Sequence, residues 1–183
     1  MRTTHAGCKE TARSTSGIWL EGRSGANSLF PLDWVSKRQG QVAFSTPEAE
    51  LVSLDLAIRS LGIPVGTLTR VAALNKGLRE CALPVGSLIE AVVKTTVPIL
   101  NLTPTIYHED NTATITIVEK GRSPSLRHLN KTHRISIFWV AEVLRNKDLQ
   151  ITHCDTLLQK GDGFTKDLDR LKFNGMLGQF GIG

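Results

Sequence analysis

Cysteine is scarce in this chain, and what there is falls in no pattern. Cys8, Cys81 and Cys154 are widely separated and odd in number. They make neither a disulfide framework nor a zinc-ligand spacing, so an intracellular, reducing setting is expected rather than secretion. Cytoplasm and nucleus remain equally open. Long apolar runs are missing too. The segment "MRTTHAGCKE" has no apolar core, so no signal peptide is expected there. The most apolar region, Leu83 to Leu102, is broken by Pro84, Glu90, Lys94 and Pro98, which argues against a membrane span or a membrane partner. Internal repeats and low-complexity tracts are absent. Neither sign of charge dominates: 22 Lys and Arg face 17 Asp and Glu, a net charge of +5. That modest excess is compatible with a nucleic-acid partner without requiring one. What is present is an ordinary globular composition, 40% apolar and 21% charged over 183 residues. This fits one domain, residues 1–183, with a sizeable core.

Local patterns give a coarse order of elements. Gly17–Leu20, Leu32–Arg38 and Gln41–Phe44 read as short strands, punctuated by Gly22, Gly25 and Gly40. In "FSTPEAE", Ser45 and Glu48 fit a capping box and Pro47 suits a first helical turn. Leu51, Leu54, Ile58 and Leu61 then recur at helical spacing. The region from Gly62 to Pro104 is weaker, with a helical pattern at Val71, Leu74 and Leu78, a break at Pro84–Gly86 and an apolar run over Leu88–Val93. Thr105–His108 reads as a strand. Asn111 or Thr112 can cap a short helix through Glu119, which Gly121 stops. A longer helix is marked by Ile135, Phe138, Trp139, Val143 and Leu144. Leu149–Cys154 reads as a strand, and Phe164–Leu177 as a last amphipathic helix with Leu168, Leu171 and Met176 inward. Strands first, then alternating helix and strand, predict a mixed α/β (α+β) fold, a mixed sheet flanked by helices.

Three acids stand where such folds place chemistry. Glu50 is near a helix start and in line with the apolar stripe. Asp110 follows a strand and Asp162 lies between a strand and a helix. Strand ends in mixed sheets converge on a crevice, and clustered carboxylates suit hard cations such as Mg²⁺. Each has a plainer reading: Glu50 as a first-turn acid favoured by the helix dipole, Asp110-Asn111 as a cap, and Asp162 between Gly161 and Gly163 as a turn residue. A second group is basic. Arg122, Arg127, His128, Lys131, His133 and Arg134 precede or enter the helix carrying Ile135. Cations there oppose the helix dipole, and phosphate binding would offset that; a solvated basic face is the alternative. Lys37, Arg38 and Lys166 are weaker candidates of the same kind. His153 beside Cys154 lacks further ligands at metal spacing and reads as a strand histidine.

The blocks "HAGCKETARSTSGIWL", "DWVSKRQGQVAFSTPEAEL", "HEDNTATI", "RHLNKTHRISIFWV" and "QKGDGFTKDL" occur in order over most of the chain. In this the sequence resembles the ribonuclease H domain of copia-type retrotransposon polyproteins. The resemblance implies a ribonuclease H-like fold with a mixed five-stranded sheet. It also implies Mg²⁺-dependent hydrolysis of the RNA strand in RNA–DNA hybrids, and the rest of a retrotransposon polyprotein as a partner. By position, Glu50, Asp110 and Asp162 match three of the four metal-binding catalytic acids. Arg127, His128, Lys131, His133 and Arg134 become candidates for contact with the hybrid backbone.

The departures are as specific as the match. The family's Asp-x-Asp on the first strand falls on Arg2 and Thr4, so the first acid is absent and the first strand is expected to be largely missing, as in an amino-terminally truncated domain. The stretch between Glu50 and Asp110 is longer than the family uses, which makes residues 62–104 an apparent insertion. The expected function is therefore that of a ribonuclease H-like fragment with impaired cleavage. Its rivals are a non-catalytic nucleic-acid-binding remnant and a chain that does not fold stably because a sheet edge is left open.

Overall fold

A computed structural model describes residues 2–4, 10–23, 29–68, 104–145, 149–166 and 168–180. The expectations for Val71 to Val93 fall outside the described residues. Three strands come first: β1 (Arg2–Thr4), β2 (Thr15–Arg23) and β3 (Leu29–Arg38), paired antiparallel in the order β1-β2-β3. So Arg2–Thr4, expected to be a remnant at best, does form a short strand, at the edge of this sheet. β2 and β3 pair Ile18 with Val35 and Trp19 with Trp34, and a bulge interrupts the ladder at Leu20/Glu21.

Gln41–Phe44 does not continue as a strand. The chain is diverted instead. The Gln39 amide donates to Ser16 Oγ and to the Ala49 carbonyl, and the Phe44 N–H is taken by Glu48 Oε2 at 2.9 Å. This starts α1 (Thr46–Ala57), where Ser45 caps the Glu48 N–H at 3.3 Å in extended backbone geometry. The expected capping box is present in modified form, since Glu48 reaches back one residue beyond the cap. α1 runs on through a π turn, Ile58–Gly62.

The stretch Thr46–Leu68 is long and apolar enough to cross a bilayer by length and composition alone. In this body it is the core helix: Leu51, Leu54 and Ile58 are fully buried. Around them gather Ile18, Tyr107, Val118, Leu129, Ile135 and Val140, drawn from strands and helices alike. At Gly62 a side chain is excluded, because a Cβ there would collide with the buried Tyr107 hydroxyl.

After the undescribed stretch, β4 (Thr105–Glu109) pairs in parallel with β5 (Leu149–His153) as a second sheet. A parallel pair needs a crossover, supplied by α2 (Thr112–Lys120), α3 (Leu129–Thr132) and α4 (Ile137–Leu144). α2 begins and ends as its sequence dictates. Asn111 accepts from the N–H groups of Ala113 and Thr114, and Gly121 takes φ +68° to close the helix. α4 starts later than its pattern implied. Ser136 caps it, Ile135 lies buried before it, and Phe138 points outward at 62% exposure. The basic residues therefore sit on α3 and its flanking turns, ahead of α4 rather than in its first turns.

The last helix is also shifted. Lys160–Phe164 is a 3₁₀ turn, and α5 spans Arg170–Gln179, capped by Asp169, which accepts from the Lys172 N–H. Of the side chains expected inward, Leu171 is 84% exposed, while Met176 lies against Gly163. Gly175 and Gly178 weaken the helix by about 1 kcal/mol each relative to alanine, and the Asp169 cap fixes its start. Described as a whole, the molecule is a mixed α/β body of small sheets and helices, of the α+β class.

Candidate metal centre

The carboxylates of Glu50, Glu109 and Asp110 meet at one corner. Each offers a ligand oxygen within 4.8 Å of the others. Glu50 comes from the first turns of α1, Glu109 ends β4, and Asp110 follows at once. Glu50 and Glu109 are withdrawn from water, at 1% and 0% exposure, and Asp110 is half-buried. Glu109 and Asp110 each have an anchor outside the trio. The Asn111 N–H donates to Glu109 Oε1 at 3.0 Å, and the Thr156 hydroxyl donates to Asp110 Oδ2 at 2.9 Å. Among the described residues this is the one trio of such side chains drawn so close. Like charges gathered away from water repel and are poorly solvated, and a cation relieves both costs. All the donors are hard carboxylate oxygens, which suits a metal ion of the Mg²⁺ or Ca²⁺ type rather than a thiophilic one.

Glu50 and Asp110 are brought together as the sequence led one to expect. Asp162 is not in the trio. It lies on the Lys160–Phe164 turn, which packs on β2 beside Gly17, and its Oδ2 is bound by Lys166 four residues on. The third member is Glu109, which sequence reasoning missed. Its signal was there in retrospect. Tyr107 and Glu109 alternate on β4 and are both buried, so the glutamate shares the strand's inward face.

The basic candidates divide. Arg127, Lys131 and Arg134 are exposed, and Arg134 closes α3 in the left-handed region at φ +57°. The two histidines turn inward instead. His128 Nε2 lies 3.0 Å, and His133 Nε2 3.3 Å, from the same Glu48 oxygen. With its side chain only 4% exposed, His133 is not presented to a phosphate backbone, and His128 is partly covered. A buried carboxylate outcompetes a surface anion for an imidazole donor.

Another acid, partly buried, lies outside the trio. Glu21 on β2 accepts from Lys160, from the Trp19 indole N–H at 2.7 Å and from Arg23. Burial pushes its carboxyl up, but these donors outweigh burial and hold it below the usual carboxylate value. Trp19 in turn packs on Phe180 with ring centroids 4.3 Å apart. No family model, no curated protein and no solved structure matches this chain, so the reading of the acidic corner rests on its own geometry.

Proposed function

We propose that the chain is a ribonuclease H-like piece of a copia-type retrotransposon polyprotein. In this reading it derives from a Mg²⁺-dependent nuclease for RNA–DNA hybrids, and its own cleavage is impaired. One observation carries the reading. Glu50 and Asp110, far apart in sequence and both singled out by the resemblance, converge on one corner with Glu109. Glu50, Glu109 and Asp110 would hold Mg²⁺, which in such sites activates water and stabilises the leaving oxygen of a phosphodiester. The impairment follows from the residues that differ. Arg2 and Thr4 occupy the positions of the first acid pair, and Asp162 is engaged with Lys166 outside the trio. Glu109 supplies a carboxylate that the resemblance did not call for.

The test pairs stability with cleavage. Mg²⁺ binding to the native state should raise the melting temperature. Asp110→Asn should melt higher than wild type without metal and lose most of the Mg²⁺ gain. Cleavage of a labelled hybrid should stay near background. Equal Mg²⁺ effects in wild type and variant would remove the metal centre.

The exposed Arg127, Lys131 and Arg134 favour a second reading, a non-catalytic nucleic-acid-binding remnant. If they track phosphates, hybrid affinity falls by roughly 0.7 to 0.9 log units per contact for each log of salt. Arg127→Ala with Lys131→Ala should flatten that slope. Salt-steep binding without any Mg²⁺ response would favour this second reading over the first.

A further inference from the structure

Glu48 and Glu50 open the same helix, both withdrawn from water, yet only Glu50 belongs to the acidic corner. Glu48 is fully buried. Its Oε2 accepts the Phe44 N–H at 2.9 Å, and its Oε1 accepts from His128 Nε2 at 3.0 Å. His133 Nε2 stands 3.3 Å from that oxygen but off the hydrogen-bond line, so its pull is electrostatic. Phe44 meets the His128 ring edge-on, with centroids 5.6 Å apart. Beside them a cleft of about 350 Å³ opens between Pro47, Ile117 and Leu126, which leaves the far side of His128 wet.

A carboxylate taken wholly out of water is costly unless donors surround it. Without the imidazoles, Glu48 gains by turning back towards water. The residue sits at the third position of α1, so that movement loosens the first turn, where backbone N–H groups lack helical partners and depend on the Ser45 cap. Glu50 is carried just beyond. Its main chain is held by the first intrahelical bonds, and these exist only while that turn is formed.

We infer that His128 and His133, acting through Glu48, are positioning residues for Glu50. They fix the start of α1 and so set where its carboxylate stands against Glu109 and Asp110. The inference rests on the metal reading above and deepens it. The turn that carries Arg127, Lys131 and Arg134 is tied to the acidic corner through a single buried carboxylate, and whatever moves one moves the other.

The experiment uses the full chain, with MgCl₂ titrated calorimetrically and melting followed separately in EDTA. Wild type should bind Mg²⁺, and Glu50→Gln should lose most of that affinity. His128→Ala should weaken Mg²⁺ binding about tenfold, the scale seen when an outer partner of a metal ligand is removed. His128→Gln, whose amide reaches the same oxygen, should restore most of it. If His128→Ala lowers the metal-free melting temperature yet binds Mg²⁺ as wild type does, the histidine is a structural cross-link only and the inference is overturned. Should His128→Ala not melt cooperatively, His128→Gln and His128→Asn decide between the two outcomes. The longer amide reaches Glu48 and the shorter does not, so equal Mg²⁺ affinities would overturn the inference. If wild type and Glu50→Gln are alike towards Mg²⁺, the metal reading itself has failed and the inference falls with it.

Discussion

Glu21 and Glu50 are both withdrawn from bulk water, and they are surrounded in opposite ways. Around Glu21 stand an indole N–H and two cations, from Trp19, Lys160 and Arg23. Close to Glu50, among the described residues, stand the carboxylates of Glu109 and Asp110. The first corner is electrically closed, and its acid serves to tie β2 to the Lys160–Phe164 turn. The second brings three carboxylates within 4.8 Å of one another, and like charges that close oppose folding unless they are compensated. The contrast separates a structural acid from a functional candidate by the groups gathered around each, beyond the difference in burial between the partly covered Glu21 and the fully buried Glu50.

Breaking the closed corner should have the largest effect. Lys160→Met keeps the aliphatic stem and removes the charge, leaving Glu21, 13% exposed, short of its main partner. The expected loss is about 3 kcal/mol, read by urea denaturation in EDTA. An unchanged midpoint would make that ion pair ornamental.

Relieving the open corner should act in the opposite direction and less strongly. Glu109→Gln keeps an oxygen for the Asn111 N–H while removing one of three like charges. Metal-free stability should rise by about 1–2 kcal/mol, the equivalent of roughly one pKa unit of relieved repulsion. A fall in stability would mean that the trio's charges are already balanced within the fold.

Acid should give the smallest and most selective effect. The Glu21 carboxyl lies below its ordinary value of 4.5 in the folded chain. Its contribution is therefore present in full above about pH 4.5, the unfolded value, and is lost as pH falls through the lower folded value. Melting curves across that range should show this loss in wild type and little of it in Lys160→Met. Parallel curves for the two proteins would detach the acid sensitivity from Glu21.

What could be read in advance was local. Ser45 with Glu48, Asn111 with Gly121, and the stripe from Leu51 to Leu61 are decided by neighbours a few residues away, and the fold keeps them. What failed depended on distant partners. His128 and His133 looked like phosphate ligands because Glu48, eighty positions earlier, is invisible to any local pattern. Gln41–Phe44 has strand-like residues, but Gln39 and Glu48 claim backbone groups around it for the turn into α1. The final helix was drawn too early because Asp169, a strong cap, was passed over in favour of apolar periodicity. Of the candidate site, two acids were legible. Glu109 was hidden beside the more conspicuous Asp110-Asn111.

The contact between Gly62 and Tyr107 has a mechanical meaning. Side chains of β4 meet the helix and its π turn at two places: the Tyr107 hydroxyl against Gly62, and Glu109 near Glu50. Any side chain at position 62 would have to displace the buried tyrosine or lift the turn away from it, so the absence of one atom there is what lets the end of the helix and the strand close on each other.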